Sequence, residues 1–212
     1  MMDADHVLST TRAVRKRLDL QRPVAREVIL ECLQLAVQAP TGGNRQGWHF
    51  MVVTDPEKKR QIGDWYRDSW YRYQAEGRPE YDQSDPRHAQ QPRIINSAQY
   101  LADHMGEVPV MVIPCHWGRV DVSGASNMAI AGLYGSILPA AWSFMLAMRA
   151  RGLGGAYTTL HLRYEKETAD LLGIPYEQVT QAALITCGYY TGDDFKPAGR
   201  IALDAIVHWE SW

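Results

Sequence analysis

The sequence has 212 residues but only three cysteines, and its positive and negative charges nearly balance. Cys32, Cys115 and Cys187 form neither a C-x-x-C pair nor a metal-ligand spacing, so we expect reduced core thiols in a cytoplasmic protein. The net charge of −2 gives no indication of a nucleic-acid or membrane-surface partner. No long apolar stretch opens the chain, and a secretory signal is therefore not expected.

Several common catalytic motifs are also missing. No G-x-G-x-x-G follows a strand pattern, and the chain contains no H-E-x-x-H, G-x-S-x-G or P-loop motif. A Rossmann dinucleotide site is therefore unsupported. The 46% hydrophobic and 22% charged residues are typical of a globular protein, and the length predicts a single domain spanning residues 1–212.

One long segment lacks charge altogether, between Asp121 and Arg149. Serines, glycines and Pro139 interrupt this segment, and its small residues favour close packing against other protein. We therefore expect a fully buried central helix over residues 126–151, bent near Pro139, and not a membrane span.

Helical patterns alternate with only a few strand patterns along the chain. This arrangement indicates an α+β fold with one central sheet. A short helix that runs into a basic turn is predicted over residues 5–17, and helices are predicted over residues 24–39, 56–75, 94–104, 126–151 and 164–172. Strands are predicted over residues 48–54, 108–115, 156–159 and 182–190, and a polar loop over residues 77–92.

Two segments could bind an anionic ligand. Residues 11–17, TRAVRKR, place four cations within six residues, either as a solvated helix end or as an anion site, because arginine grips phosphate with a planar fork of donors. Residues 40–50, PTGGNRQGWHF, which we call the opening loop, lie between a helix and a strand pattern. Their glycines allow a ligand to approach the backbone. The same residues also suit a plain helix-to-strand turn.

Two further segments follow. Residues 152–160, GLGGAYTTL, join the apolar helix to a strand, and Gly152 is well placed to end that helix. The C-terminal tail, residues 196–212, reads KPAGRIALDAIVHWESW and is rich in aromatic residues. We expect Trp209 and Trp212 to pack, fastening the tail to a neighbouring subunit.

These four segments, in this order, resemble the FMN-dependent nitroreductase family, most closely its actinobacterial type. The loop is similar to the family's A-P-S-G-G-N-x-Q-P-W signature, with Thr41 and Gly47 in place of Ser and Pro. The basic segment is similar to R-S-x-R, with Ala13 in place of Ser. The resemblance implies a nitroreductase-like fold, with a central mixed or antiparallel sheet flanked by helices, and a homodimer that exchanges its C-terminal arms and shares its active sites.

The resemblance also implies a set of FMN-binding residues, with no catalytic side chain and no metal. The basic segment would hold the phosphate and ribityl chain, with Arg15 nearest the pyrimidine end of the flavin. The opening loop would reach the partner's FMN, the strand after Gly155 would lie against the ring, and Arg200 would close on the phosphate. The implied residues are Arg12, Ala13, Val14, Arg15, Pro40, Thr41, Gly42, Asn44, Tyr157, Thr158, Thr159 and Arg200.

The implied activity is transfer of hydride from NADH or NADPH to FMN, and then to a nitroaromatic or quinone. Two alternatives stay open: a reductive dehalogenase-like enzyme, and a non-enzymatic flavin-binding or storage protein. The aromatic run Trp65, Tyr66, Trp70, Tyr71 and Tyr73 indicates either dimer packing or a pocket for a small aromatic substrate.

Overall fold

A computed structural model describes residues 3–77 and 79–212 of the chain. In this part of the chain the helices are α1 Ala4–Thr10, α2 Arg26–Ala36, α3 Pro56–Ala75, α4 Pro86–His104, α5 Asn127–Ala150 and α6 Glu165–Leu172. The strands are β1 Trp48–Val53, β2 Val110–Trp117, β3 Leu153–Gly154, β4 Tyr157–Thr158, β5 Val179–Gln181 and β6 Leu184–Tyr189. The predicted α+β class is confirmed.

The strands form one antiparallel sheet in the order β1-β2-β6-β3, with β4 also paired to β6 and β5 to β2. β2 is buried from Val110 to Cys115 because helices cover both faces of the sheet. On one face Met111 and Ile113 pack with residues of α3 and α4, and on the other Val110 and Val112 pack with residues of α2 and α5. This alternation explains why the strand reads as a continuous apolar run.

The expectation that α5 is fully buried was wrong. From Ser136 onward most of its residues are buried, as at Ile137 and Phe144, but Met128 is 83% exposed and Trp142 is 42% exposed. A helix of 24 residues is about 36 Å long, whereas an eight-residue strand is about 27 Å long, so α5 extends past the sheet that it covers. By length and composition α5 could cross a membrane, but 39% of its apolar window is buried inside this fold.

The first helix, Ala4–Thr10, leads into a turn at residues 15–17, where the Leu18 amide donates to the Arg15 carbonyl at 3.1 Å, in agreement with the predicted short helix and basic turn. One predicted boundary was wrong. The second half of the predicted loop over residues 77–92 is helical, since Asp85 accepts a hydrogen bond from Arg87 N and Pro86 opens α4. Arg78, which that loop prediction also covered, lies outside the described residues. The short strands β3 and β5 were not predicted.

Candidate functional site

The basic segment, residues 11–17, is joined in the fold to the glycine-rich segment, residues 152–160. The Val14 amide donates to the Gly155 carbonyl at 2.8 Å, and Ala13 bridges Gly155 in parallel. A Cβ on Gly155 would lie 1.6 Å from the Thr186 carbonyl oxygen, and one on Gly154 would lie 2.8 Å from Val14 Cγ2. Both glycines are therefore needed for this close approach, which turns two distant motifs into one structural unit.

Arginines from opposite ends of the chain meet beside this unit. Arg12 Nη1 donates to the Lys196 carbonyl at 2.5 Å, which brings the tail alongside the basic segment. Burial lowers the pKa of Arg12, and the nearby Arg200 and Arg93 lower it further. Among the described residues, Arg12 and Arg200 form no salt bridge with a carboxylate. Converging guanidinium groups that lack an acidic partner suit a phosphate group.

Arg15 lies in a second, more buried part of the site. Its Nη1 atom donates to Ser97 Oγ at 3.3 Å, and burial lowers its pKa. The hydroxyl groups of Tyr66 and Thr158 lie 3.1 Å apart. Burial raises the pKa of Tyr66, while the hydrogen bond with Thr158 and the charge of Arg15 oppose this rise. A cation and two hydroxyl groups therefore meet where the resemblance places the ring of the flavin.

Phe195 fixes the start of the tail. Its ring lies between two guanidinium groups, 4.2 Å from that of Arg17 and 4.3 Å from that of Arg149. Tyr190 meets the same ring edge-on at a centroid distance of 4.7 Å. Asp194, the residue before it, pairs with Arg17 at 2.9 Å. Aromatic rings attract cations electrostatically, so this sandwich holds the tail close to Arg12.

The opening loop lies elsewhere. The Gly42 amide donates to Ser136 Oγ of α5 at 3.3 Å, the Gln46 amide to Thr41 Oγ1 at 3.2 Å, and Gln46 Nε2 to Asn44 Oδ1 at 3.0 Å. Within residues 3–77 and 79–212, no hydrogen bond joins the loop to the basic segment. Within the described part of the chain, the loop is therefore held by α5 and by its own side chains and has no hydrogen bond to Arg12 or Arg15.

A sequence model of the nitroreductase family matches residues 8–189 of this chain. The chain belongs to the nitroreductase family. The family, the fold class and the assignment to an oxidoreductase that the sequence predicted are confirmed.

Relatives of this nitroreductase-family chain include an NADH dehydrogenase of Thermus thermophilus, 26% identical over 96% of this chain and 97% of that protein. Among solved structures, an FMN- and NADPH-dependent nitroreductase, NfnB, from Sphigopyxis sp. strain HMH has a TM-score of 0.70 at 21% identity, with all of both chains covered. An iodotyrosine deiodinase bound to FMN and 3-iodo-L-tyrosine has a TM-score of 0.72 at 21% identity, covering 97% of this chain and 98% of that one.

The predicted ring-facing residues of this nitroreductase-family chain divide between two faces of the sheet. The Tyr157 side chain packs with the core formed by α2 and α5, whereas Thr158 faces Tyr66 of α3. Successive strand residues point to opposite faces, so the side chain of Tyr157 lies away from Arg15 and Tyr66. Thr159 is exposed. The sequence named Tyr66 only as one of the aromatic run and did not name Ser97, because only the packing of α3 and α4 places them near Arg15.

Two neighbouring cavities lie along α4 of this nitroreductase-family chain. One, of about 390 Å³, is bounded by Arg200 and the tail, and the other, of about 200 Å³, by Arg15, Trp70 and Tyr73. Gln91 and Ile94 line both. The aromatic run is thus divided: Trp70 and Tyr73 line a cavity, whereas Trp65 stacks on Tyr164 and Tyr71 is half exposed.

The smaller cavity holds a polar group without a partner. Gln74 lines the cavity, and both polar atoms of its amide are buried without a hydrogen-bond partner among the described residues. Buried polar groups are normally hydrogen-bonded.

Proposed function

We propose that this chain, as one domain over residues 1–212, is an FMN-dependent NAD(P)H oxidoreductase that reduces nitroaromatic or quinone compounds. The observation that carries this proposal is the arrangement of Arg12 and Arg200, which the hydrogen bond from Arg12 to the Lys196 carbonyl brings near each other, with the half-buried Arg15 three positions along the chain. The first two suit a terminal phosphate, and the third suits the ring of a flavin. FMN, which has one phosphate at the end of its ribityl chain, fits such a donor set. The two solved structures named above, NfnB and iodotyrosine deiodinase, are FMN proteins, which agrees with this choice of cofactor.

When bound, FMN supplies the acceptor and donor of hydride. The chain's own residues would bind and orient it. Arg12 and Arg200 would hold the phosphate by charge-assisted hydrogen bonds. Arg15, whose burial keeps its charge poorly screened, would favour negative charge on the ring. The Tyr66 and Thr158 hydroxyl groups would stand beside that cation, and the cavity at Trp70 and Tyr73 would receive a flat aromatic substrate.

The test is reduction and reoxidation of the purified protein. The released cofactor should be FMN, and anaerobic NADH or NADPH should bleach its absorbance. A nitroaromatic or a quinone should then restore the absorbance. A flavin that stays oxidised with both donors would favour flavin storage instead. If only a halogenated phenol restores the absorbance, the dehalogenase alternative is favoured. The fold likeness to iodotyrosine deiodinase lends support to that alternative. FAD, or no flavin after reconstitution, would contradict the proposal.

We also propose a cytoplasmic homodimer with shared sites. Exposed residues of α5 recur at spacings of three and four, which is the pattern of a seam between helices: Met128, Ala131, Gly135, Leu138 and Trp142. The tail is exposed from Gly199 onward, with Trp209 at 81% and Leu203 at 72%. Contiguous exposed apolar surface marks an interaction site. A second copy would cover this seam and bring its opening loop to the site.

Light scattering can test the dimer. The wild-type protein should have twice the mass of one chain, and Leu138→Arg in the seam should reduce it to one chain mass. The matched control is Tyr71→Arg, an exposed residue of α3 outside the seam, which should remain dimeric. A flavin-loaded monomer at micromolar concentration would contradict shared sites.

A further inference from the structure

One face of α4 bridges the basic segment and the tail. Ser97 accepts the hydrogen bond of Arg15 at 3.3 Å, and Asn96, beside it, accepts from Lys16 Nζ. Toward the start of the helix, Gln90 Nε2 lies 3.2 Å from where a Cβ of Gly199 would be, and therefore contacts the tail. The helix thus touches both segments that supply the arginines of the site.

Arg93 lies between these two contacts. Residues 90, 93 and 97 are separated by three and four positions, so they share one face of a helix. Gln90 is against the tail next to Arg200, and Ser97 is against Arg15. The same face therefore places Arg93 between Arg15 and the part of the tail that carries Arg200. Consistent with this placement, the charges of Arg200 and Arg93 both lower the pKa of Arg12.

No carboxylate offsets these three charges within the described part of the chain. Arg12 donates to the carbonyl of Lys196 and Arg200 to that of Gly199, and neither they nor Arg93 form a salt bridge. Other arginines of the chain do have acidic partners, as Arg67 has Asp64 at 3.1 Å. Three cations from three separate segments repel one another, and a dianionic phosphate would convert this repulsion into attraction.

We propose that Arg93 of α4 is a third phosphate-binding residue of the flavin site, through which the phosphate holds α4 against the basic segment and the tail. This inference rests on the proposed function. It gives the phosphate a role beyond affinity, because α4 carries Gln91 and Ile94, which line both cavities. Loading of the cofactor would thereby order the helix that borders the substrate space.

The experiment compares FMN with riboflavin, which lacks the phosphate. Flavin-free full-length protein is titrated with each compound, for the wild type, Arg93→Gln and Arg93→Lys. Arg93→Gln should weaken FMN binding by about ten- to a hundredfold, because a hydrogen bond to a charged group is lost. Riboflavin binding should stay within about twofold, and Arg93→Lys should recover part of the FMN affinity. The control Arg67→Gln removes an equal charge from an exposed pair of α3 and should change neither constant.

Hydrogen exchange of α4 gives a second measurement that does not depend on affinity. In the wild type, saturating FMN should slow exchange over residues 86–104 more than saturating riboflavin does. In Arg93→Gln, with both flavins at saturation, this difference should disappear.

The outcomes separate this inference from the proposed function. If the wild type binds no FMN, the proposed function fails. If the wild type prefers FMN over riboflavin but Arg93→Gln binds FMN equally well, the role of Arg93 alone is overturned. Equal weakening of FMN and riboflavin binding would also overturn it, because it would show a general effect on the fold.

Discussion

Phe195→Leu provides a strict test of how the tail reaches the site. The substitution keeps an apolar side chain but removes the ring between Arg17 and Arg149. A cation–π contact contributes about 0.5–1 kcal/mol at an exposed site and about 2 kcal/mol when desolvated, and an edge-on aromatic pair about 0.5–1.5 kcal/mol. Arg149 is buried, at 5% exposure, and Arg17 is 34% exposed in its side chain, so we assign about 3 kcal/mol to the whole arrangement.

The expected loss of FMN affinity in Phe195→Leu has an upper limit. Releasing the tail removes Arg200 from the phosphate, and a hydrogen bond to a charged group is worth about 1.5–3 kcal/mol, or about ten- to a hundredfold in affinity. Phe195→Leu should therefore weaken FMN binding by no more than Arg200→Ala does. Because both substitutions remove the same contact, the double variant should bind FMN no worse than Arg200→Ala alone.

The assay is a fluorescence titration of flavin-free protein with FMN and with riboflavin. Phe195→Tyr keeps the ring and should stay within about twofold of the wild type. Riboflavin affinity should be unchanged in all variants, since riboflavin has no phosphate to lose. Additive losses in the double variant would refute the reasoning, because Phe195 would then act on the flavin independently of Arg200.

Three further predictions follow from buried groups. Gly155→Ala should fold poorly or with a marked loss of thermal stability, because its Cβ would lie 1.6 Å from the Thr186 carbonyl oxygen; a melting temperature equal to that of the wild type would contradict the close approach. Burial lowers the pKa of His161 to about 3, so the wild type should lose stability as pH falls below about 6.5, where the unfolded chain takes up a proton and the folded chain does not. The loss attributable to this residue is about 2 kcal/mol at pH 5, and denaturant unfolding of His161→Leu should show a shallower fall between pH 6.5 and 5; identical slopes would show that the folded imidazole titrates normally. Burial raises the pKa of Cys115 to about 12, so iodoacetamide should label this thiol only after unfolding, as mass spectrometry of the native and denatured protein can check.

The sequence determined the elements that have strong local signals. The apolar run around Ile113 predicted a strand because its side chains are buried on both faces, and Gly152, with φ of 74°, ends α5 as its position predicted. The pairing of Val14 with Gly155 and the start of α4 were both missed. The pairing joins residues 141 positions apart, so no local pattern shows it. The start of α4 did have a local signal, since Asp85 and Pro86 form a capping pair.

The residues of the candidate site were likewise only partly predictable from the sequence. Residue types indicated an anion site in the basic segment, because guanidinium groups bind phosphate, and the family resemblance added Arg200. Only the tertiary structure decided that α4 lies between Arg15 and the tail, that the Tyr66 hydroxyl lies beside that of Thr158, and that Ser136 of α5 holds the opening loop. A sequence specifies what each side chain can bind, but the packing of separate segments decides which side chains meet, because it is the burial of apolar faces that sets their positions.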